Sequence, residues 1–315
     1  MPDDNQTRAM VVSQRRELTD SIIELTLSLP NGGPLPGFTP GAHVTVQTPA
    51  KAMRCYSLVN DGAAPTEYVL AIKREPKSRG GSQSIFDSAT KGQILQVSDP
   101  ENSFALVPAP KYLLIAGGIG ITPIQAMAHH LAALGTPFRL IYCTTTGSDT
   151  AYLEEMRALR PAVTLHHDNA DPEQLYDFWD HFEQPDASHV YCCGPAPMME
   201  EIKALAGFWP EGQVHFEEFK PIEIVRADDT AFTVTLARSG RKIHVPADRS
   251  ILEAMRDAGE KTVSSCESGV CGTCKCGLID GDVEHRDDVL LDEERDTMIM
   301  TCVSRAASGD LVLDL

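Results

Sequence analysis

The stretch that decides the fold lies near the C-terminal end of the chain and reads Cys266-Glu267-Ser268-Gly269-Val270-Cys271-Gly272-Thr273-Cys274. Its three cysteines are separated by four and then two residues, and Cys302 follows after 27 more. This is the plant-type spacing of a [2Fe–2S] cluster, in which a short loop supplies three thiolates and a distant residue the fourth. Small residues in the loop let the backbone curl around a cluster and offer N–H groups to its sulfurs. The spacing therefore predicts that Cys266, Cys271, Cys274 and Cys302 hold such a cluster.

Zinc is the alternative for this group of cysteines. Zinc sites favour paired C-x2-C knuckles, and the stretch contains only one, Cys271 to Cys274. Cys276 is a further cysteine with no place in the ligand set, and we expect a buried core thiol there. The chain has nine cysteines in all. Disulfides are not expected, because the chain begins with an acidic, polar segment unlike a secretory leader and we expect it in the cytoplasm.

Length, composition and charge limit the classes of function. The chain has 315 residues, 42% of them hydrophobic, which predicts two or three globular domains. Its net charge of −18 argues against nucleic acid and anionic membranes as partners. No apolar run is long enough to span a membrane.

A glycine loop, Gly117-Gly118-Ile119-Gly120, follows a buried strand and opens a helix predicted over Thr122–Leu134. Thr122 is predicted to N-cap this helix and Gly135 to end it. Such glycines let a backbone approach a pyrophosphate at a helix N-terminus, although a tight strand-to-helix turn is the alternative. Strands and helices alternate up to the strand His189–Cys193, which is followed by Gly194-Pro195. This alternation predicts a parallel sheet whose carboxyl edge binds the nucleotide.

The N-terminal third carries six short strands separated by turn residues, which predicts a small antiparallel β-barrel. One strand contains Arg54-Cys55-Tyr56-Ser57, and a later loop reads Arg79-Gly80-Gly81-Ser82. A guanidinium, two glycine amides and a hydroxyl can form a cradle for a phosphate group. Taken singly, each feature is equally typical of a turn or a solvated arginine.

The expected organisation is three domains. Residues 1–104 form the flavin-binding barrel, residues 105–225 the nucleotide-binding α/β domain, and residues 226–315 a β-grasp-like α+β ferredoxin domain. The charged stretch Glu223–Thr230 is predicted to be a linker. In the last domain, Phe232–Ala237 and Arg241–Val245 are expected to form a hairpin. Ser250 and Glu253 form a capping box that opens a helix, which Gly259 can close.

Together these motifs resemble the phthalate dioxygenase reductase family, whose members carry FMN first, NAD second and ferredoxin last. The resemblance covers essentially the whole chain and includes His215-Phe216-Glu217-Glu218-Phe219. Cys55 stands where the family commonly has threonine. The resemblance implies FMN contacts from two strands, the phosphate loop, a helix start and a shielding aromatic: Arg54, Cys55, Tyr56, Ser57, Ala71, Ile72, Lys73, Arg79, Gly80, Gly81, Ser82, Thr122 and Phe219. Nicotinamide contacts are expected at Gly118, Gly120, Thr144, Cys193, Gly194 and Pro195.

NADH is the expected donor, because the loop Thr144–Thr150 carries one acid and no base to bind a 2′-phosphate. NADH gives two electrons as a hydride and the cluster accepts one at a time, so a flavin is expected to mediate between them. No catalytic acid or base is expected. The resemblance implies a terminal Rieske-type oxygenase as partner, and we expect a monomer.

Two other functions remain open at this point: a general NADH-dependent reductase of a separate ferredoxin, and a non-enzymatic redox sensor. The sequence also leaves two interpretations of Asp280–Asp296, which carries nine acids against two arginines. It is either a solvated face or a docking patch.

Overall fold

The computed structural model describes residues 7–75, 81–219, 226, 228–264, 267, 269, 272–287 and 289–315. The described residues form two compact units, residues 7–219 and residues 226–315. Four predicted site residues, Arg79, Gly80, Cys266 and Cys271, lie outside the described residues.

The larger unit begins with a six-stranded antiparallel sheet. Its strands are β1 (Arg8–Thr19), β2 (Ile22–Ser28), β3 (His43–Gln47), β4 (Met53–Ser57), β5 (Glu67–Lys73) and β6 (Ile94–Val97). They lie in the order β4-β3-β6-β1-β2-β5, and a bridge between Leu58 and Leu70 joins the two edges. The sheet therefore closes around an apolar interior that includes Leu25, Val44 and Leu70, which confirms the predicted barrel. One helix, α1 (Gly81–Ser88), follows β5.

The second half of this unit is a five-stranded parallel sheet flanked by helices, as predicted. Its strands are β7 (Lys111–Gly117), β8 (Phe138–Thr144), β9 (Val163–His167), β10 (Ser188–Cys193) and β11 (Val214–Glu217). Its helices are α2 (Ile121–Leu134), α3 (Leu153–Ala158), α4 (Trp179–Phe182) and α5 (Ala196–Leu205). The strand order is β11-β10-β7-β8-β9. The chain therefore moves outward from β7 to β9 and returns to β10 on the other side, so β7 and β10 flank a topological switch point.

Two local predictions in this sheet are wrong. Thr122 does not cap α2: the helix begins at Ile121 after Gly120, and the Thr122 hydroxyl donates to the carbonyl of Ile119 at 3.1 Å. A short 3₁₀ turn over Gly118–Gly120 leads into the helix, so Thr122 already lies inside its first turn. The helix predicted near Pro172–Phe182 is two short pieces, Pro172–Gln174 and α4, because Leu175 adopts an extended backbone between them. Gly135 ends α2 in the left-handed conformation, as expected.

The smaller unit is a mixed five-stranded sheet with one helix. Its elements are β12 (Phe232–Leu236), β13 (Lys242–Val245), α6 (Ile251–Asp257), β14 (Lys275–Glu284), β15 (Met298–Met300) and β16 (Arg305–Leu313). The strand order is β13-β12-β16-β14-β15, with β12 and β16 parallel. The predicted hairpin and capping box are both present, since Ser250 and Glu253 exchange side-chain to backbone hydrogen bonds. This is the expected α+β arrangement.

The described end of the predicted linker is not free chain. Asp229 lies on the smaller unit, where its side chain is 5% exposed and accepts hydrogen bonds from Arg286 at 2.5 and 3.0 Å. The linker prediction over Glu223–Thr230 is therefore wrong at Asp229. Asp228 and Thr230 on either side are exposed, and residues 223–225 and 227 lie outside the described residues. None of the described helices combines the length and the apolar character that a membrane span requires.

Candidate active site

The switch point of the parallel sheet brings together two of the motifs predicted from the sequence. The loop Gly117–Pro123 leaves the carboxyl end of β7, and Cys193-Gly194-Pro195 leaves the carboxyl end of the neighbouring strand β10. Open α/β sheets bind ligands in the crevice beyond the strand ends at such a point. The predicted nucleotide contacts Gly118, Gly120, Cys193, Gly194 and Pro195 therefore lie at one edge.

Glycine is required in this edge because the two loops approach very closely. A Cβ at Gly120 would overlap the backbone carbonyl of Cys193, and a Cβ at Gly117 would overlap the ring of Pro195. Gly118 has φ +53°, and nothing lies within 4 Å of its Cβ position. Its carbonyl accepts a hydrogen bond from the Tyr142 hydroxyl at 3.1 Å. Gly117 and Gly120 thus allow the loops after β7 and β10 to pack together, while the open space at Gly118 lets a ligand approach the protein backbone.

Cys193 and Thr122 are both buried at this edge, with relative exposures of 0% and 2%. Burial raises the pKa of the Cys193 thiol well above its usual value, so this thiol is neutral and unreactive at neutral pH. Cys193 therefore contributes shape and packing here rather than nucleophilic chemistry.

A buried carboxyl that the sequence analysis left without a role lies beside this thiol. Glu217 ends β11, directly opposite Cys193 in the parallel register. Its Oε2 atom is buried and has no hydrogen-bond partner among the described residues. Burial raises the pKa of this carboxyl to about 8, so it holds a proton at neutral pH. The motif His215–Phe219 drew attention to this strand, but only the burial identifies Glu217.

Thr144, a predicted contact, organises its own loop. Its hydroxyl lies 2.7 Å from the Thr150 hydroxyl and 2.9 Å from Nδ1 of His167. In the same loop, the Thr146 hydroxyl donates to the Asp149 carboxylate at 2.6 Å. The acid seen in the sequence is therefore held in place at the carboxyl end of β8.

The barrel places four of the predicted flavin residues, Arg54, Cys55, Tyr56 and Ser57, on β4. The hydroxyls of Tyr56 and Ser57 are buried and have no hydrogen-bond partner within the described part of the chain. Burial also raises the pKa of the Tyr56 phenol, which is therefore a neutral donor. Two buried hydroxyls on one strand need partners, because an unsatisfied buried polar group is costly. A flavin, with its ring nitrogens, carbonyls and polar tail, fits this requirement.

Arg54, on the same strand, lies against the start of α1. A Cβ at Gly81 would stand 2.9 Å from Nε of Arg54, so the arginine side chain would have to shift if residue 81 were larger. Next to it, the Ser82 hydroxyl accepts a hydrogen bond from the backbone N–H of Glu75 at 3.3 Å. The structure therefore brings Arg54, Gly81 and Ser82 together. A guanidinium at a helix N-terminus fits a phosphate.

The remaining flavin predictions fall on different faces. The Cys55 thiol lies 3.4 Å from the Thr45 hydroxyl, and strand alternation puts it opposite Arg54 and Tyr56. On β5, Ile72 packs into the barrel interior, whereas Ala71 packs into a core shared with the parallel sheet. Lys73 is exposed, and Phe219 is an exposed aromatic (42%) just beyond β11.

Two of the four predicted cluster ligands are described, and they lie in the same apolar group. Cys274 and Cys302 are 6% and 1% exposed and pack with Leu252, Leu290 and Met300. The backbone N–H and hydroxyl of Thr301 both donate to the carbonyl of Cys274, at 3.3 and 3.1 Å. Gly269 and Gly272 have φ of +73° and +79°, as a tightly curled loop requires. This geometry fits a cluster held between a loop and a distant segment.

Cys276 belongs to a different core. Its side chain packs with Val234, Ile243 and Ile299, and burial raises the pKa of its thiol to about 11. The expected core thiol is therefore observed.

An ion pair fixes the cluster loop to α6. The Glu267 side chain is 10% exposed, and its carboxylate lies 2.6 Å from the Arg256 guanidinium. It also accepts a hydrogen bond from the Ser264 hydroxyl at 2.9 Å. Glu267 has φ +51°, which is unfavourable for a residue with a side chain, so these contacts hold a strained backbone.

Comparison with known proteins agrees with this arrangement. Residues 114–204 match the oxidoreductase NAD-binding domain family, and residues 234–307 match the 2Fe-2S iron-sulfur cluster binding domain family. The chain is 44% identical to a phthalate dioxygenase reductase of Burkholderia cepacia, over 100% of this chain and 99% of that one. The chain belongs to the phthalate dioxygenase reductase family.

Further members of the family are equally similar. The phthalate 4,5-dioxygenase oxygenase reductase subunit of Pseudomonas putida is 45% identical over 99% of this chain and 98% of its own. A solved structure of phthalate dioxygenase reductase superposes with a TM-score of 0.88 at 45% identity, covering 98% of both chains. The chain is thus an NADH-dependent flavin iron–sulfur oxidoreductase, with FMN and [2Fe–2S] as its cofactors.

We predict that Glu267→Gln loosens the cluster loop. Loss of the ion pair to Arg256 removes the contact that holds the strained backbone at Glu267. The cluster absorbance should then decay at least about threefold faster in the presence of a chelator, which corresponds to less than 1 kcal/mol. Flavin content should stay unchanged. Arg249→Gln is the control, because that arginine is 3.9 Å from Asp257 and half exposed. Equal decay rates in Glu267→Gln and the wild type would contradict the prediction.

We predict that Glu217→Gln removes a pH dependence of stability. With a pKa of about 8 when folded and 4.5 when unfolded, Glu217 binds its proton more tightly in the folded chain. The free energy of unfolding therefore falls as pH rises through this interval, and the loss is complete above the folded pKa. Tm measured from about pH 5 to 9 should fall more steeply in the wild type than in the variant. Glu218→Gln is the control, since Glu218 is paired with Lys203 at 2.7 Å. Parallel Tm profiles for Glu217→Gln and the wild type would refute the assignment.

Proposed function

We propose that this chain is the reductase component of a terminal Rieske-type oxygenase system, passing electrons from NADH through FMN and a [2Fe–2S] cluster to that oxygenase. The observation that carries the proposal is the meeting of Cys274 and Cys302 in one apolar group. The same chain contains the nucleotide edge between β7 and β10. One chain therefore contains a site for a two-electron donor, the nicotinamide nucleotide, and a site for a one-electron acceptor, the iron–sulfur cluster.

In this proposal the nucleotide edge positions the nicotinamide. Gly118, Gly120, Gly194 and Pro195 offer backbone contacts, and Thr144 fixes the loop beside the ribose. Thr122 and Cys193 form a dry wall, which excludes water from the reacting face. The protonated Glu217 keeps negative charge away from the bound nucleotide, because its carboxyl is neutral at pH 7.

The flavin would be held by β4, β5 and α1. Arg54, Gly81 and Ser82, with Arg79 and Gly80, bind its phosphate in this proposal. The hydroxyls of Tyr56 and Ser57 form hydrogen bonds with the flavin, and Phe219 shields its ring. The flavin also contacts the strand backbone at four positions on β4 and β5: Cys55, Ala71, Ile72 and Lys73. Bound FMN accepts the two electrons of a hydride and releases them one at a time.

We assign the cluster to Cys266, Cys271, Cys274 and Cys302. The corresponding domain boundaries are residues 1–104, 105–225 and 226–315. The neutral, buried Cys276 thiol supports leaving it out of the ligand set. We also propose a monomer that works in the cytoplasm, with no nucleic acid or membrane partner.

The oxygenase partner follows from family membership. Relatives over the full length of the chain are named as reductases of phthalate dioxygenase systems. The net charge of −18 favours a partner with a basic face.

We predict that Asp149 contributes to the preference for NADH. A carboxylate held near the adenosine ribose repels a 2′-phosphate, so kcat/KM should favour NADH over NADPH by about tenfold or more, or roughly 1.4 kcal/mol. Asp149→Arg should raise kcat/KM for NADPH by about tenfold. Glu211→Arg is the control for the added charge, since Glu211 is exposed in the loop before β11. Steady-state kinetics with both nucleotides provide the measurement, and equal wild-type values would sink the prediction.

We predict that substitutions of Cys302 and Cys276 have different effects on electron transfer, because only Cys302 is assigned as a cluster ligand. Cys302→Ser should lose the cluster absorbance and keep FMN. NADH oxidation with ferricyanide should persist, because the flavin serves this small acceptor, while cytochrome c reduction falls at least about tenfold. Cys276→Ser, a change at a buried thiol in a different core, should keep both activities. A cluster that survives Cys302→Ser and is lost in Cys276→Ser would reverse the assignment.

A further inference from the structure

One short segment of the smaller unit packs directly against the cluster-binding cysteines. We call residues 289–294 the flank segment. Leu290 is 5% exposed and belongs to the same apolar group as Cys274 and Cys302. Val289 lies beside the cluster loop, since its Cγ1 is 3.4 Å from the Cβ position of Gly272. The flank segment is therefore part of the immediate surroundings of the cluster site.

Two carboxylates fix the backbone of this segment. Asp287, with a fully buried side chain, accepts hydrogen bonds from the N–H groups of Val289 and Leu290 at 3.3 and 2.9 Å. Glu294 accepts from the N–H of Leu291 at 3.1 Å and pairs with Lys275 at 3.0 Å. The segment is held at both ends.

The fixed backbone leaves Leu291 pointing outward. Leu290 turns into the apolar group, whereas Leu291 is 61% exposed. A single exposed leucine is ordinary on a protein surface. Leu291 differs because its backbone N–H is bound by Glu294 and it adjoins Leu290, which packs with the cluster cysteines, so little conformational entropy is lost when a partner covers it.

Acidic side chains border Leu291. Asp292 and Glu293 follow it and are exposed, and the Asp292 carboxylate lies 3.9 Å from the Arg295 guanidinium. Asp296 lines an open polar depression with Asp280, Asp282 and Asp310. Among the described residues, no lysine or arginine lies within 4 Å of the four carboxylates of this depression. Leu291 is therefore adjoined by the exposed carboxylates of Asp292 and Glu293, which form its acidic border, on a unit whose surface carries further acids.

We propose that Leu291 and its acidic border form the docking surface for the electron-accepting protein, which presents an apolar patch surrounded by lysine and arginine. The proposal rests on the proposed function, because it assumes that the cluster delivers electrons to a separate protein. Leu291 supplies the anchor, since a few well-packed, desolvated side chains near the centre of an interface carry most of the binding energy. The acidic border steers a basic partner and excludes acidic ones.

The test uses the full chain loaded with FMN and cluster, and cytochrome c as a basic one-electron acceptor. Leu291→Asn should lower kcat/KM for cytochrome c by about tenfold, a typical cost for removing an interface anchor. Ferricyanide turnover should be unchanged. Anaerobic bleaching of the cluster absorbance by NADH should also be unchanged. Leu134→Asn is the matched control, because Leu134 is 66% exposed at the end of α2 in the other unit.

A second variant tests the border. Asp292→Asn combined with Glu293→Gln should weaken the dependence of cytochrome c reduction on ionic strength, since screened charge pairs lose their effect with salt. The inference is overturned if kcat/KM of Leu291→Asn stays within about twofold of wild type. It is also overturned if cluster bleaching slows, which would mean that Leu291 serves the flavin step within the chain. Absence of ferricyanide turnover in the wild type would overturn the proposed function and this inference with it.

Discussion

The close approach of Gly120 to the carbonyl of Cys193 is the contact on which the nucleotide edge depends. Any side chain at Gly120 would overlap that carbonyl and separate the loops after β7 and β10. The separation would move Thr122 away from Cys193 and widen the crevice at the switch point. It would also expose Glu217, which lies opposite Cys193 in the sheet. Burial at this edge raises the pKa of both the Glu217 carboxyl and the Cys193 thiol, so both groups are neutral.

The flavin barrel and the parallel sheet are joined by a shared core rather than by surface charges alone. Ala71 and Phe104 from the barrel side pack with Leu114 and Ile121 from the sheet side. The Tyr191 hydroxyl donates to the carbonyl of Ala105 at 3.0 Å, which holds the connecting chain against the sheet. Hydride transfer requires the reacting atoms to be in contact, at about 3–3.5 Å. A rigid junction between the parts that bind donor and acceptor meets this requirement.

Local pattern was sufficient to predict the elements and the ligand spacing, but not the burial that results from packing. The six barrel strands, the alternating strands and helices and the Ser250 capping box all follow from short-range signals. The start of α2 was predicted at Thr122 because threonine is a good cap, yet the tight glycine turn begins the helix earlier. Glu217 looked like one acid among many, and only its position inside the sheet edge raises its pKa. Asp229 looked like linker, because its arginine partners lie far away in the sequence.

The buried charges around Asp229 show how the smaller unit fixes its own entry point. Asp229 pairs with Arg286, which also binds Glu284 at 2.6 Å, and Arg305 lies 3.4 Å away. Arg305 is 1% exposed and donates to the carbonyls of Thr230, Pro246 and Arg249. Buried ion pairs contribute little net stability, because desolvation offsets their attraction, whereas an unpartnered buried charge is strongly unfavourable. An alternative path for residues 229–230 would take the Asp229 carboxylate away from Arg286 and Arg305 and the Thr230 carbonyl away from Arg305, so both buried guanidiniums would lose part of their acceptors. The network therefore determines the path of the chain where it enters the ferredoxin fold, rather than adding much net stability. Arg286 adjoins Asp287, so the same region that fixes the entry also anchors the flank segment beside the cluster cysteines.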